Sequence, residues 1–209
     1  MSVDAPTVFV VDDDESIRKG LSRLLTAAGY RPRAFGSADE FLKEPREDGP
    51  GCIILDVHLP GLSGLDLQGT LAASGRSVPI VFITGVGDIP MSVKAMKAGA
   101  VDFLPKPFEA EALLEAVARA LEKDAAERRQ QKQSRALAAR IQALTLRERE
   151  VLALVSAGKM NKQIAAELGA SEKTIKVHRG RVMKKLGAAS VAELVRLADR
   201  AGVGPPRKS

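Results

Sequence analysis

The chain has 209 residues, a formal net charge of +6, one cysteine, and no apolar run approaching the roughly 18 residues of a membrane span. A lone cysteine excludes an internal disulfide framework and fits a reducing compartment, so a cytoplasmic protein with no membrane partner is expected. The charge is divided: residues 1–121 hold 12 Lys+Arg against 17 Asp+Glu, a net of −5, whereas residues 122–209 hold 20 against 9, a net of +11. Such a split implies an acidic module joined to a basic one that meets a polyanion.

The opening run MSVDAPTVFVVDDD has no basic n-region and turns acidic within a few residues, which argues against a signal peptide. Strand-like runs follow at TVFVV (7–11), RPRAF (31–35), CIILD (52–56), PIVFIT (79–84) and VDFLP (101–105). Helical patterns lie between them at 16–29, 38–43, 65–73 and 91–99, and another starts at Ala110. This alternation predicts an α/β module whose parallel sheet is covered on both faces. CIILD reads as a strand buried on both faces, yet it ends on Asp56, a carboxylate that is costly there unless something pairs with it.

Neither Pro nor Gly occurs from Glu109 to Ala157. Helical spacing of Leu113, Val117 and Leu121 lapses through EKDAAERRQQKQSR (122–135) and resumes at Leu137, Ile141 and Leu144. The spacing predicts one long helix leaving the first module as a polar rod; the plainer reading is a frayed linker, since isolated polar helix is marginal. Four short helices are expected at 146–157, 161–168, 172–186 and 190–201, broken at Gly158, Gly169 and Gly187. The expected division is a first domain at 1–122, a helical linker at 123–143, an all-α helix-turn-helix domain at 144–202 and a disordered tail at 203–209.

Asp12 and Asp13 follow the first strand, Asp56 ends the third, Thr84 ends the fourth, and Lys106 follows the fifth. In an open parallel sheet the carboxyl ends of the strands share one edge, and ligands sit in the crevice there. Three carboxylates at one rim raise one another's pKa unless a cation intervenes, and Mg²⁺ suits such a set. That arrangement frees Asp56 to attack phosphorus while Lys106 and Thr84 hold phosphoryl oxygens. Taken singly, each residue has a plainer reading: an Asp run as a helix cap, a strand-end threonine, a surface lysine between prolines. Convergence on one edge favours the phosphoryl site. His58 reads as a packing or solvent-facing loop residue, and Cys52 as buried filler.

VVDDDESIRKGL, LDVHLPGLSGLDL, PIVFITGVGD and KAMKAGAVDFLPKPF resemble the receiver domain of two-component response regulators over about residues 5–122. The resemblance implies a flavodoxin-like five-stranded parallel sheet in the order 2-1-3-4-5. It implies Asp12, Asp13 and Asp56 as Mg²⁺ ligands and Asp56 as phosphoacceptor from a sensor histidine kinase. Lys106 and Thr84 would contact the phosphoryl group, and Thr84 with Phe103 would form the switch pair, coupled to homodimerisation on activation.

All seven aromatic residues lie before residue 121, so the basic half has no rings for stacking single-stranded bases, and duplex DNA is the expected polyanion. NKQIAAELGASEKTIKVHRGRVMKKLG reads as a helix, a tight turn at Gly169, and a longer helix capped by Ser171. Ile175, Val182 and Leu186 face inward with His178; the outward face is cationic with one apolar residue and one glycine, suited to a major groove. The run LTLREREVLALVSAGKMNKQIAAELGASEKTIKVHRGRVMKKLGAAS resembles the LuxR-type, or NarL/FixJ-type, DNA-binding domain over about 144–202, nearest its FixJ branch. By position in that family, Lys176 and Val177 would approach bases, and Lys173, Thr174, Arg179 and Arg181 would meet phosphates or bases. Some relatives carry lysine where this chain has Gly180. Val191, Leu194, Val195 and Leu197 of the last helix make it a candidate contact between copies.

The expected function is a phosphorylation-activated transcriptional regulator, of the activator type, with RNA polymerase as a further partner. Two other classes stay open on the sequence. One is an aspartyl-phosphate enzyme, although no second acid/base is evident near Asp56. The other is a phosphorylation-independent DNA-binding protein with a vestigial receiver.

Overall fold

The computed structural model describes residues 5–45, 49–75, 78–85 and 89–203 and divides the chain into two compact units, 1–127 and 128–209. Of the tail expected to be disordered at 203–209, Val203 instead packs on the core of the second unit, and residues 204–209 lie outside the described residues, as does the Val86–Asp88 part of the receiver-like motif. Among the described residues, no helix is long and apolar enough to cross a membrane.

The first unit alternates strands and helices: β1 (Thr7–Val11), α1 (Glu15–Ala27), β2 (Arg31–Phe35), α2 (Ala38–Leu42), β3 (Gly51–Asp56), α3 (Gly64–Ala73), β4 (Ile80–Thr84), α4 (Ile89–Lys97), β5 (Asp102–Pro105) and the start of α5 (Ala110–Gln142). The strands pair in parallel in the order β2-β1-β3-β4-β5. Every residue of β1, β3 and β4 is buried, as continuous apolar strands covered on two faces must be. Alternation sends Phe9, Val11, Ile53, Leu55 and Phe82 to one face, against Phe41 of α2, Leu67 and Leu71 of α3, and Ala95 of α4. Val8, Val10, Cys52, Ile54, Val81 and Ile83 face the other way, onto Leu21 and Leu25 of α1 and Leu113, Ala116, Val117 and Ala120 of α5. Each buried Val, Leu, Ile or Phe side chain among them contributes on the order of 2 kcal/mol relative to exposure.

Helix starts are set by side-chain caps. Asp14, Ser37 and Ser63 accept backbone N–H bonds from the first turns of α1, α2 and α3. α4 begins at Ile89, two residues before its apolar spacing becomes visible in the sequence. α5 is a single 33-residue helix. Its residues just past 122 still serve the first unit: Lys123 Nζ donates to the Gly99 carbonyl at 3.1 Å, and the buried Asp124 carboxylate accepts from Gly51 N–H at 3.0 Å. From Arg129 to Ala136 every residue is exposed. The Cys52 thiol is fully buried, and its pKa is pushed up to about 12, first by burial and then by the Asp124 charge.

The second unit contains the end of α5 and four helices: α6 (Leu146–Ser156), α7 (Asn161–Leu168), α8 (Glu172–Leu186) and α9 (Val191–Arg200). Leu144, Val151, Leu152, Ile164, Ile175, Val182, Leu186 and Leu194 form its core. Leu194 is therefore fully used inside its own unit, and Val195 and Leu197 pack on the same core; of the apolar residues expected to be surplus on this helix, only Val191 is exposed. The sequence overestimates that helix's free apolar surface because Ala198 and Leu194 together complete a small core.

α6 opens with a capping box, in which Thr145 Oγ1 accepts from Glu148 N–H and the Glu148 carboxylate accepts from Thr145 N–H at 2.9 Å. Lys185 Nζ donates to the same buried carboxylate at 2.6 Å. These bonds, Lys185 foremost, hold Glu148 below its usual pKa. A carboxylate with a lowered folded-state pKa contributes stability that is complete above its unfolded value and is lost as pH falls through the folded one. The protection of α6 amides in the full chain, measured as hydrogen exchange relative to the intrinsic rate at each pH, should therefore fall as pH drops below about 4.5, and Glu148→Gln should flatten that dependence. An unchanged pH profile in the variant would contradict the assignment.

Candidate functional site

At the carboxyl edge of the sheet, Asp12 is completely buried and Asp56 nearly so, while Asp13 is exposed. One carboxylate oxygen from each lies within 4.8 Å of the other two; among the described residues this trio is the group with metal-holding geometry. Lys106 closes the cluster: its Nζ donates at 2.6 Å to Asp12 Oδ2 and at 2.6 Å to Asp56 Oδ2. β5 delivers that lysine because Lys106 N–H continues the ladder, donating to the Thr84 carbonyl at 2.6 Å.

Backbone groups fix the remaining oxygens. Asp12 Oδ1 accepts from Asp14 N–H at 2.8 Å, and Asp56 Oδ1 accepts from His58 N–H at 3.0 Å. The Arg18 guanidinium donates at 2.7 Å to the Asp12 carbonyl, tying α1 to the same rim. Gly64 matters as well. A Cβ there would come within 2.2 Å of the Asp56 carbonyl oxygen, so only glycine lets α3 start this close to the end of β3.

Burial raises the Asp12 pKa, and the bonds from Lys106 and Asp14 only partly offset it. For Lys106, burial alone would lower the pKa, but the hydrogen bonds to Asp12 and Asp56 outweigh it and leave the ammonium more firmly protonated than usual. The cluster is thus an acidic pocket with a resident monovalent cation, and its donor set of carboxylate oxygens fits a hard divalent ion.

Thr84 is completely buried at the end of β4, and its Oγ1 lies 3.3 Å from His58 Nδ1. This contact is not visible in the sequence, where His58 reads only as a loop residue; adjacency of the β3 and β4 ends is the signal that brings the two together. Phe103 is half-buried, its ring 6.2 Å from that of Phe82 and tilted by 40°.

In the second unit, Gly169 takes the left-handed conformation (φ 60°) that ends α7, and Ser171 Oγ accepts from Thr174 N–H at 3.1 Å to start α8. Lys173, Thr174, Lys176, Val177, Gly180, Arg181 and Lys184 are all exposed on α8. Arg179 is placed differently. It follows Ile175 by four residues and precedes Val182 by three, so it falls on the inward stripe, half-buried, with Nη1 donating to Asn161 Oδ1 at 2.9 Å. It ties α8 to the start of α7 and lies off the exposed arc expected to meet DNA. His178 is half-buried, and its Nδ1 has no hydrogen-bond partner among the described residues.

An acidic pocket at the carboxyl edge of a five-stranded parallel sheet, with a helix-turn-helix unit in the same chain, defines a receiver-type module joined to a helix-turn-helix one. Residues 8–118 match the model of the response regulator receiver domain, and residues 142–198 match that of the bacterial regulatory proteins of the luxR family. The chain is 50% identical over 196 residues to Nodulation protein W of Bradyrhizobium diazoefficiens, spanning 94% of this chain and 86% of that protein. It is 43% identical over 199 residues to the transcriptional regulatory protein FixJ of Rhizobium meliloti, spanning 95% and 98%. The solved structure of the response regulator StyR matches with a TM-score of 0.83 at 50% identity, covering 94% of this chain and 99% of that one. The chain belongs to the response regulators with a LuxR-type DNA-binding domain, the FixJ-like transcriptional regulators.

The pocket's stability rests on Lys106. Lys106→Met should lower unfolding free energy in metal-free buffer by about 2 kcal/mol, less than for a fully buried ion pair because the lysine side chain keeps 19% exposure. Urea denaturation of the full chain checks this; no loss would show that the two carboxylates do not need the ammonium.

Proposed function

We propose that Asp56 accepts a phosphoryl group from a sensor histidine kinase, that Asp12, Asp13 and Asp56 hold Mg²⁺, and that Lys106 and Thr84 hold the phosphoryl oxygens. One observation carries the reading: three carboxylates within 4.8 Å of one another, with a lysine bonded to two of them. In the transfer, an Asp56 carboxylate oxygen forms the bond to phosphorus as the donor's bond to phosphorus breaks. When bound, the magnesium ion supplies charge neutralisation for the phosphoryl oxygens. Lys106 then offers its ammonium to an incoming oxygen, a role that its bond to Asp56 Oδ2 already prepares.

Thr84 would exchange its contact with His58 for one with the phosphoryl group, and Phe103 would repack toward the space vacated beside Phe82. The change is a shift between two pre-existing arrangements. Val93 and Met96, one turn apart on α4, are each 45% exposed beside this region, and we assign them to the homodimer contact made on activation. The receiver extends through residue 127, the helical linker spans 128–143, and the DNA-binding domain spans 144–202. Its α8 enters the major groove of duplex DNA, with Lys176 and Val177 toward bases and Lys173, Thr174 and Arg181 along the flanks. The protein acts in the cytoplasm as an activator that engages RNA polymerase.

Acetyl phosphate with Mg²⁺ should label the wild type with an acid-stable, base-labile phosphoryl group, and Asp56→Asn should remain unlabelled. Labelling of the variant to the wild-type extent would refute the phosphoacceptor assignment. With beryllofluoride, the wild type should elute as a dimer in size-exclusion chromatography. Met96→Glu should raise the dimer dissociation constant at least about ten-fold, or about 1.4 kcal/mol; a variant that dimerises normally removes α4 from the contact.

A further inference from the structure

A glycine in the middle of α8 weakens the helix relative to alanine, and no contact among the described residues requires it. Gly169 and Gly187 at the helix ends have φ of 60° and 72°, and Gly64 faces a colliding carbonyl. Gly180 has neither reason: its backbone is helical, and among the described residues no atom beyond its own helix backbone and chain neighbours lies within 4 Å of where a Cβ would stand. The missing side chain is therefore a feature of the outer surface of α8.

Each helical residue turns by about 100°, so Val177 lies at the centre of the exposed arc, with Thr174 about 60° to one side and Gly180 about 60° to the other. These three residues form a diagonal row of i, i+3 and i+6. Val177 is 47% exposed, a large aliphatic group set among Lys173, Lys176, Arg181 and Lys184. The Thr174 hydroxyl is already hydrogen-bonded to Ser171 Oγ at 2.8 Å, within the helix cap. A single exposed valine is ordinary. A valine flanked by a capped threonine and an otherwise needless glycine, inside a ring of cations, is a shaped surface.

We infer that Thr174, Val177 and Gly180 form an apolar notch that takes the 5-methyl group of a thymine in the major groove. The surrounding cations suit phosphates and polar base edges, whereas the one apolar feature a base pair displays in that groove is the thymine methyl. Gly180 lets the helix backbone approach the base edge; a lysine at this position would fill the notch and ask for a polar partner instead. The inference rests on the reading that α8 enters the groove.

The test uses the full chain, activated with beryllofluoride. Duplexes are selected from a random pool, and each thymine of the selected duplex is replaced in turn by deoxyuridine, which removes only the methyl. At one thymine per half-site, the wild type should lose about three- to five-fold in affinity, the worth of one buried methyl. Val177→Ala should bind the selected duplex more weakly and no longer distinguish thymine from deoxyuridine there. Gly180→Ala, which favours helix formation, should bind the selected duplex several-fold more weakly and show a reduced preference for thymine over deoxyuridine there. Indifference of the wild type to every deoxyuridine, a full thymine preference in Val177→Ala, or wild-type behaviour of Gly180→Ala would each overturn the notch while leaving DNA binding intact. If no sequence is enriched in the selection, the placement of α8 in the groove falls together with the notch.

Discussion

Lys106 lies between two carboxylates that could not otherwise share the end of one sheet. Asp12 directly follows β1 and Asp56 ends the neighbouring β3, and both are almost wholly withdrawn from water. Ionised and unpaired, they would repel each other and favour protonation. The ammonium satisfies one oxygen of each, backbone N–H groups satisfy the others, and Asp13 adds a third charge at the solvent side. The pocket is therefore held in a charged but balanced state, able to take an additional cation and anion together at little reorganisation cost.

The rest of the receiver serves that edge. Continuous apolar strands bury the sheet on both faces, so all the polar chemistry is confined to strand ends. α1 reaches the rim through Arg18, α3 through the close approach at Gly64, and β5 through the ladder bond that sets Lys106 beside Thr84. Three layers thus converge on one small cluster of charge. The DNA-binding unit solves a different problem, a small core of short helices, with glycines in left-handed conformation, capping side chains and one buried carboxylate–lysine pair.

Most of this architecture can be read from the sequence, because apolar alternation and turn residues act locally. The strand ends are legible, and from them the pocket: once the strands run parallel, Asp12, Asp56, Thr84 and Lys106 can only meet. What local patterns hide are side chains used against type. Asp124 sits in a run that reads as solvated helix, yet its carboxylate is buried on the β3 amide, because a helix lying over the amino edge of a sheet meets unpaired N–H groups there. Arg179 reads as one more cation on a basic helix, although its spacing from Ile175 and Val182 already places it inward. Leu194 looks surplus only until the size of the core it completes is known. The contact of His58 with Thr84 depends on the loop after β3 meeting the end of β4, which no periodicity encodes.

The buried thiol in β3 bears on what kinds of stress this regulator can register. Oxidants and electrophiles act on thiolates, and a sulfur with a pKa of about 12 and no exposure presents almost none at neutral pH. With no second cysteine in the chain to trap it, Cys52 offers no route to an intramolecular redox bridge. The fold thus keeps the Cys52 sulfur of its central strand away from oxidants and thiol-modifying reagents as long as the sheet stays closed.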